Sequence, residues 1–363
     1  MCYVQSLNKN SLNIYRGKKV IVTGHTGFKG SWLALWLHIL GAKVFGISHK
    51  TLTSPCNYKI IALNKYIKEK IFKIENTKKT KAVFNNFQPD FVFHLAAQAI
   101  VKKSYSKPKE TWNSNLIGTL SVMEALKDLK KKCTAIIITS DKVYKNIETE
   151  RGYNEDDRIG GFDPYSASKG ATEILISSYF NSFFLKKKNL RLSVARAGNV
   201  IGGGDWSEGR LIPDCIKSWN TKKKVTIRSP SSTRPWQHVL EVLFGYLVLG
   251  SLLNKNIKLN GQAFNFGPKI HSRFTVLEVL KKIKNKWPNA YWRVKKSKLK
   301  ESKLLKLNSK KSQKLLRWRC VLNFTQTLNL VLDWYKHYYD KKMNMKQFSI
   351  NQIKYYSSII KKL

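Results

Sequence analysis

Three glycines at a fixed spacing, Gly24, Gly27 and Gly30, constrain the fold of this chain more than any other feature. They follow a short apolar run, Lys19–Thr23, and they open a segment in which large apolar residues recur at helical spacing. A glycine-rich turn between a buried strand and a helix permits a tight bend, lets a phosphate approach the backbone and lets the helix pack closely. Free amides and the positive end of the helix dipole then favour an anion. The sequence therefore predicts a dinucleotide-binding unit near the N-terminus.

The first half of the chain repeats this alternation of apolar runs and helical patterns. Further apolar runs stand at 43–47, 91–95 and 135–139, with helical patterns between them. Such alternation indicates a parallel sheet covered on both faces. We predict an α/β fold with a doubly wound, Rossmann-like parallel sheet and a smaller α/β substrate lobe. The expected bounds are 15–197 for the dinucleotide-binding domain with returning segments at about 236–265, 198–235 and 266–335 for the lobe, and 336–363 for a C-terminal helical extension.

The charge of the chain is unusual, because its 363 residues carry a formal net charge of +45. Clustered Lys and Arg residues attract polyanions such as nucleic acids. Here the charge is spread in short runs, such as three lysines each at 130–132, 186–188 and 222–224, and no tail of one sign stands apart. We therefore interpret the charge as a property of the whole surface and predict no specific nucleic-acid partner. Self-repulsion of such a surface should make stability depend on salt.

The cysteines and the longest apolar run limit the classes of protein further. Five cysteines are scattered without metal-ligand or disulfide-framework spacing, so we expect reduced thiols and no metal. Residues 1–13 lack the apolar core of a signal peptide, and the longest apolar run, 242–253, is too short to span a bilayer. These features favour a cytoplasmic protein without membrane contact.

Two groups of polar residues stand where a doubly wound fold places its ligands. Tyr165 and Lys169 are four residues apart, on one face of a predicted helix. A nearby ammonium lowers the pKa of a phenol, so Tyr165 is a candidate base near neutral pH. Ser140, Asp141 and Lys142 come at the carboxyl end of the predicted strand at 135–139. By spacing alone, the Asp141–Lys142 pair is equally consistent with a solvated turn.

The segment after the second predicted strand leaves the choice of cofactor open. It reads Gly-Ile-Ser-His-Lys at 46–50 and contains no acid, although a carboxylate at this point usually binds the ribose of adenosine. The residues alone therefore allow either NAD or NADP. Ala96 and Ala97 follow the run at 91–95, and such small side chains would let a cofactor approach the backbone.

Longer strings make a family resemblance specific. Over about residues 20–355 the chain resembles the extended short-chain dehydrogenases/reductases, and within them the branch of the CDP-glucose 4,6-dehydratases. The strings are Gly-His-Thr-Gly-Phe-Lys-Gly-Ser-Trp at 24–32, Thr-Ser-Asp-Lys at 139–142, Gly-Gly-Phe-Asp-Pro-Tyr-Ser-Ala-Ser-Lys-Gly at 160–170, Arg-Ala-Gly-Asn-Val-Ile-Gly-Gly-Gly-Asp-Trp at 196–206 and Arg-Pro-Trp-Gln-His-Val at 234–239. The resemblance implies an NAD-dependent, redox-neutral dehydration of CDP-glucose to CDP-4-keto-6-deoxyglucose, a lyase reaction of deoxysugar synthesis.

The resemblance also implies a role for each site residue. Tyr165, beside Lys169, would remove the C4 hydroxyl proton while NAD takes a hydride from C4, and Ser140 would bind the C4 oxygen. Asp141 would be the acid at C6, and Lys142 lies where the C5 base is found. The implied substrate-binding residues are Asn199, Arg210, Arg234 and His238. The implied cofactor-binding residues are Gly24, Thr26, Gly27, Phe28, Lys29, Gly30, Ile74, Leu95, Ala96, Ala97, Gln98, Asn115, Tyr165 and Lys169.

The chain departs from the family pattern in places. Lys-Ile-Glu-Asn at 73–76 replaces an Asp-Ile-Arg-Asp-like string that contacts adenine, although the backbone of Ile74 remains a candidate contact. Asn308 stands where an acid is common, and Val143 stands where a cysteine is frequent. We expect these changes to affect cofactor affinity more than chemistry.

Several alternatives stay open at this stage. Arg196 fits a structural ion pair as well as a substrate contact, and Trp206 and Trp236 fit packing equally well. The chain is alternatively a dehydratase for another nucleotide sugar or an epimerase, although epimerases lack the Asp141–Lys142 pair. A further alternative is an inactive basic scaffold that binds polyanions. The family commonly forms dimers or tetramers, for which the predicted helices at 115–129 and 172–184 are candidates.

Overall fold

The computed structural model describes residues 11–268, 274–295, 304–341 and 344–362. The strands are β1 (Lys19–Thr23), β2 (Lys43–Ser48), β3 (Lys68–Ile71), β4 (Phe91–His94), β5 (Cys133–Ile138), β6 (Leu190–Ala197), β7 (Val200–Ile201), β8 (Val225–Ile227), β9 (Thr233–Arg234), β10 (Gln237–His238), β11 (Ala263–Phe266), β12 (Phe274–Thr275) and β13 (Trp292–Val294). The α-helices are α1 (Phe28–Ile39), α2 (Asn57–Ile60), α3 (Thr77–Phe87), α4 (Val101–Ser106), α5 (Pro108–Trp112), α6 (Gly118–Asp128), α7 (Pro164–Tyr179), α8 (Leu211–Asn220), α9 (Val239–Lys255), α10 (Val276–Lys284), α11 (Lys310–Leu316), α12 (Phe324–Asp340) and α13 (Met345–Lys361).

The main sheet is parallel throughout and has the strand order β11-β6-β5-β4-β1-β2-β3. From β1 the chain winds outward to β2 and β3, then crosses back to β4 on the other side of β1. The order therefore reverses between β1 and β4, where the carboxyl ends of the two strands leave a crevice. The turn after β1 that carries the three glycines opens into this crevice.

Two apolar layers cover the sheet, one on each face. Side chains of α3, α6 and α7 pack on one face around Val122, Leu126 and Ile176. The larger core on the other face contains α1 and α9, and residues of α12 and α13 join it. Three short strand pairs, β7 with β10, β9 with β12 and β8 with β13, lie outside the main sheet. None of the described helices combines the length and the apolar character needed to cross a bilayer.

The predicted fold class is confirmed, and its element bounds hold best where strands are apolar. Lys19–Thr23 is a strand as predicted, and the runs at 43–47, 91–95 and 135–139 are strands within two residues at each end. The helix predicted at 115–129 is in fact a π-helical turn, Asn113–Ile117, followed by α6. Farther along the chain, the short strand β12 leads directly into α10. The proposed domain bounds stay a prediction, although β11 lies beside β6 in the main sheet.

Candidate active site

The glycine turn packs too tightly for any side chain at two of its three glycines. Gly24 has a φ of +76°, and a Cβ there would lie 2.8 Å from the amide nitrogen of Ala96. A Cβ on Gly30 would lie 2.1 Å from the carbonyl oxygen of Gly24. Both distances are far inside van der Waals contact, so the first glycine bends the chain against the end of β4 and the third brings α1 close to β1.

The middle glycine leaves space on the outer side of the turn. Gly27 is the residue before α1, and a Cβ there would meet only the Gly24 carbonyl oxygen, at 3.2 Å. The glycine turn leads directly into the twelve-residue helix α1, whose first amides stand at the positive end of its dipole. This cradle fits the pyrophosphate of a dinucleotide, as the glycine spacing predicts.

The end of β4 forms the opposite wall of the crevice. Thr23 accepts a hydrogen bond from the amide of Ala96 at 3.1 Å, and its hydroxyl pairs with Nδ1 of His94 at 2.7 Å. Burial lowers the pKa of His94 to about 3, so this ring is neutral and fixes the strand end. Leu95, Ala96 and Ala97 are half-buried and line the crevice, in keeping with their predicted place beside a cofactor.

Asn115, predicted to bind the cofactor, is a buried support. Its Oδ1 accepts the amide of Gln98 at 2.8 Å, and its Nδ2 donates to the Gln98 carbonyl and to Ser168 Oγ. The side chain is completely buried and all its polar groups are used. The predicted contact with the cofactor stays a prediction, and in the structure the amide holds the segment after β4 against α7.

The segment after β2 contains no acid, but a carboxylate on the neighbouring strand β3 contacts the glycine turn. Glu69 on β3 bonds to Nε2 of His25 and to the hydroxyl of Tyr58, each at 2.7 Å. Thr26 and Ser48 share a hydrogen bond of 2.6 Å at the end of β2. The Ile74 side chain is buried, and its carbonyl oxygen accepts the hydroxyl of Thr80 at 3.1 Å. The carbonyl of Ile74 is thus already engaged within the chain.

The segment that follows β5 carries the predicted acid and base and is largely buried. Ser140 begins a short turn, Asp141–Val143, and its Oγ accepts the amide of Lys142 at 3.2 Å while donating to Asp141 Oδ1 at 2.9 Å. Burial raises the pKa of Asp141, although Lys142, Ser140 and Lys29 lower it in part. The side chain of Lys142 is half-buried. Asp141 is thus favoured as a proton donor, and the alternative of a solvated turn does not hold for it.

Tyr165 and Lys169 lie on α7, which begins at an aspartate cap. Asp163 accepts the amides of Tyr165 and Ser166, each at 3.0 Å. The expected low pKa of Tyr165 is wrong for this structure, because burial raises its pKa to about 12. A hydrogen bond with Ser140 and the charge of Arg210 lower that pKa, but they do not outweigh the loss of solvation.

Two lysines in the crevice have unusually low pKa values. Burial lowers the pKa of Lys169 to about 8, and the carboxylate of Glu173 partly offsets this. Burial and then Arg210 lower the pKa of Lys29 to about 8, although Asp141 raises it. The charge of Lys29 thus interacts with that of Asp141 after β5.

The structure decides between an ion pair and a substrate contact for Arg196. Its guanidinium donates from Nε and Nη2 to both oxygens of Glu173, at 2.9 and 2.8 Å, and both side chains are about 4% exposed. It is thus a buried structural ion pair and does not face a substrate. Trp206 is also a packing residue, since it is buried among Trp334, Tyr335 and Tyr338.

The predicted substrate-binding residues differ in their burial and in their partners. Arg210 is half-buried and is fixed by Asp205 at 2.7 Å, and Asn199 is exposed. The backbone of Arg234 is in β9, but its side chain lies outside the described part of the structure. His238 is completely buried, and its Nδ1 accepts the amide of Leu240 at 3.3 Å at the start of α9. The predicted substrate contact of His238 stays a prediction, and in the structure the ring caps the start of a core helix.

Sequence reasoning missed the buried partners of these residues. Glu173 stands four residues after Lys169, which places it on the same helix face, and this spacing could have indicated it. Asp205 lies directly before Trp206 in a quoted string, but nothing in the sequence pairs it with Arg210. Across the part of the chain that the structure describes, no cluster of three or more His, Cys, Asp or Glu residues is arranged to hold a metal ion.

The fold and site together define a class. A doubly wound parallel sheet, a glycine turn in its crevice and a Tyr-x-x-x-Lys pair on the helix after β5 are the features of an extended short-chain dehydrogenase/reductase. Residues 21–331 match the family model of the GDP-mannose 4,6 dehydratases, and the chain belongs to that family. It is therefore related to enzymes that dehydrate nucleotide sugars. The predicted membership of the nucleotide-sugar dehydratase branch is confirmed.

Individual relatives agree with this assignment. The CDP-glucose 4,6-dehydratase of Salmonella typhimurium is 41% identical over 330 residues, which cover 89% of this chain and 92% of that protein. Among solved structures, the UDP-glucose 4-epimerase of Thermotoga maritima with UDP-glucose has a TM-score of 0.77 at 22% identity, covering 88% of this chain and 99% of that one. The UDP-glucuronic acid 4-epimerase of Bacillus cereus, solved with UDP-glucuronic acid and NAD, has a TM-score of 0.75 at 24% identity, over 88% and 99%. The two epimerases share the fold.

Proposed function

We propose that this chain is a CDP-glucose 4,6-dehydratase that forms CDP-4-keto-6-deoxyglucose with bound NAD. One observation carries the proposal. Ser140, Asp141 and Lys142 lie together in one crevice with Tyr165 and Lys169, in a chain whose dehydratase relative matches over nearly its whole length. A 4-epimerase needs a base at C4, but it has no use for an acid at C6, so the buried Asp141 favours dehydration.

The first stage is oxidation at C4. Bound NAD would act as the temporary acceptor of hydrogen from C4 and as its donor to C6, so that the overall reaction is redox-neutral. Tyr165 removes the proton of the C4 hydroxyl, and Ser140 hydrogen-bonds the same oxygen. The hydrogen bond of Ser140 and the charge of Arg210 already lower the pKa of Tyr165. These groups are the chain's own contribution toward a phenolate in a buried site.

The second stage is loss of water across C5 and C6. The ketone at C4 acidifies the C5 proton, which Lys142 removes, and the electron pair forms the C5–C6 double bond. The C6 hydroxyl leaves with a proton from Asp141. Asp141 suits this task because burial raises its pKa, so that the protonated carboxyl is favoured.

The chain's charges suit a diphosphate sugar. The planar guanidinium of Arg210, held by Asp205 at 2.7 Å, presents donors in a geometry that matches phosphate oxygens. We assign the same task to Arg234 and a supporting contact to Asn199. For NAD we assign the backbone of the glycine turn, Thr26, Lys29 and the residues 95–98, with Asn115 as a support.

A panel of nucleotide sugars tests the proposal. The purified chain is incubated with CDP-, dTDP-, UDP- and GDP-linked hexoses, and the 4-keto product is measured. We expect turnover of CDP-glucose and little of the others. Turnover of dTDP-glucose alone would overturn the assignment of Lys142 as base, because related dTDP-glucose dehydratases carry a glutamate there. Retention of the 6-hydroxyl in every product would overturn dehydration.

We also propose that the chain forms a homo-oligomer in the cytoplasm. Apolar side chains on the outer surface of the α6–α7 region support an interface there, since Ile117 is 40%, Ile174 64% and Phe183 49% exposed. Light scattering of the wild type and of Ile174→Lys tests this. A monomeric wild type, or an unchanged oligomer with lysine at this position, would contradict the proposed interface.

A further inference from the structure

The buried pair of Glu173 and Arg196 contacts both ends of the segment that carries Ser140, Asp141 and Lys142. At the front end, Thr139 donates its hydroxyl to Glu173 Oε1 at 2.5 Å. At the far end, Arg196 Nη1 donates to the hydroxyl of Tyr144 at 2.8 Å, and its guanidinium lies 5.0 Å from the centre of the Tyr144 ring. One ion pair thus fixes residues 139 and 144, on either side of the reactive residues.

The same pair joins this segment to the helix that carries Tyr165 and Lys169. Glu173 stands on α7, four residues after Lys169, whereas Arg196 stands on β6 beside β5. The bidentate geometry and the burial of both partners leave little freedom for α7 to move relative to the end of β5. The spacing between Tyr165 and Ser140 therefore depends on a contact that neither residue makes.

A buried ion pair is a costly way to hold a fold together. Removing two charges from water is expensive, and well-packed apolar residues of similar volume are often as stable. The pair is better explained by a need for a fixed negative charge close to Lys169. The charged or titratable groups around Lys169 are Tyr165 and Glu173 on its own helix, Lys29 from the glycine turn and the neutral ring of His94 on β4. Of these, Glu173 stabilises the ammonium form.

We propose that Glu173 is a positioning residue for the dehydration: with Arg196 it sets the distance between the Ser140–Lys142 segment and the Tyr165–Lys169 pair, and it places a carboxylate one helical turn from Lys169. This inference rests on the proposed function. It assigns Glu173 no contact with substrate or cofactor. Its effect reaches the reaction through Thr139 on one side and Lys169 on the other.

Two substitutions separate the two effects. Glu173→Gln keeps the shape but removes the charge, so the ammonium of Lys169 becomes less stable. We expect the alkaline limb of the pH–kcat profile to move about one unit lower. Thr139→Val keeps the ion pair but removes the hydrogen bond to the reactive segment. We expect kcat to fall roughly tenfold, with KM and the alkaline limb unchanged, because small misplacements of reacting groups are costly.

Thr134→Val is the matched control. Thr134 is also buried on β5, and its hydroxyl accepts a hydrogen bond from Asn254 at 2.9 Å instead of contacting Glu173. Its pH profile and kcat should equal those of the wild type. If folded Glu173→Gln retains the wild-type alkaline limb, or if Thr139→Val retains the wild-type kcat, the pair is merely structural and the inference is overturned.

A second measurement decides the matter if Glu173→Gln does not fold or if the wild type does not act on CDP-glucose. Amide hydrogen exchange needs no substrate. In Thr139→Val, residues 139–144 should exchange about tenfold faster than in Thr134→Val, with little change elsewhere. Equal exchange in the two variants would overturn the positioning role. A wild type that fails on CDP-glucose while the exchange difference persists would overturn only the proposed function.

Discussion

Two buried glutamates, Glu173 and Glu241, lie in different parts of the molecule and have different hydrogen-bond partners. Glu173 lies on the catalytic face, formed by residues 139–144 and α7, and a guanidinium binds both of its oxygens. Glu241 lies on the C-terminal face, formed by α9, residues 318–322 and α13. Its oxygens accept only neutral donors, the amides of Val321 and Leu322 and the hydroxyl of Tyr356.

The two glutamates differ in the charge of their partners. Burial raises the pKa of Glu241 to about 7, because no cation opposes the loss of solvation. Glu173, by contrast, forms a buried ion pair with Arg196, and its carboxylate raises the pKa of Lys169. A buried ion pair thus lies beside the proposed reactive residues, whereas the buried Glu241 accepts hydrogen bonds from neutral groups.

The largest effect is expected for Tyr165→Phe, which removes the hydroxyl group of Tyr165 on α7. We expect kcat to fall about 10³-fold, since a general base contributes about that much, while folding and cofactor binding persist. Tyr179→Phe on the same helix is the control, because its hydroxyl bonds Glu124 at 2.9 Å outside the site. Wild-type turnover of Tyr165→Phe would show that the base lies elsewhere.

Asp141→Asn tests the second stage of the reaction. The amide cannot deliver a proton to the leaving C6 hydroxyl, so dehydration should slow by about 10²-fold or more. Oxidation at C4 does not need this acid, so the variant should still exchange the C5 hydrogen of CDP-glucose with heavy water, as read by mass spectrometry. Asp157→Asn, which breaks the exposed pair with Arg151, serves as control. Loss of C5 exchange together with dehydration would contradict the separate role of Asp141.

The fold could be predicted from the sequence wherever burial leaves an apolar signature. Lys19–Thr23 and the run before Ser140 are continuous apolar strands, whereas β3 reads Lys-Glu-Lys-Ile at the sheet edge, mostly exposed, and gives no such signal. The sequence indicates residues for a candidate site, whose roles stay a prediction, but it does not indicate the electrostatics of that site. The pKa of Tyr165 depends on burial, and the partner of Arg196 comes from another element, so spacing along the chain reveals neither.

Arg210→Met tests whether Arg210 acts mainly in substrate binding or in the chemical step. In the proposed assignment its charge helps to hold the diphosphate, so we expect KM for CDP-glucose to rise about tenfold or more. The charge of Arg210 also lowers the pKa of Tyr165, so kcat should fall by a smaller factor. Arg151→Met removes a surface guanidinium paired with Asp157 and should leave both constants unchanged. A loss confined to kcat would show that Arg210 acts on Tyr165 rather than on the substrate.

The smallest expected effect concerns the C-terminal face and is a change in stability alone. Burial raises the pKa of Glu241 in the folded protein to about 7, above its pKa in the unfolded chain. The contribution of Glu241 to stability is therefore fully present below the unfolded-state pKa. It is lost as the pH rises through the folded-state pKa. The stability advantage of the wild type over Glu241→Gln should therefore shrink by roughly 2–3 kcal/mol between pH 5 and pH 8. Thermal unfolding of both proteins at the two pH values measures this gap.

The control for this last prediction has a pKa shift of the opposite sign. Lys127 lowers the pKa of Glu124 to about 2, so Glu124 is charged throughout the range from pH 5 to pH 8. The gap between wild type and Glu124→Gln should therefore stay constant. If the Glu241→Gln gap also stays constant, burial does not raise the pKa of Glu241 in the fold. The contrast between a charged catalytic face and a neutral C-terminal face would then be wrong.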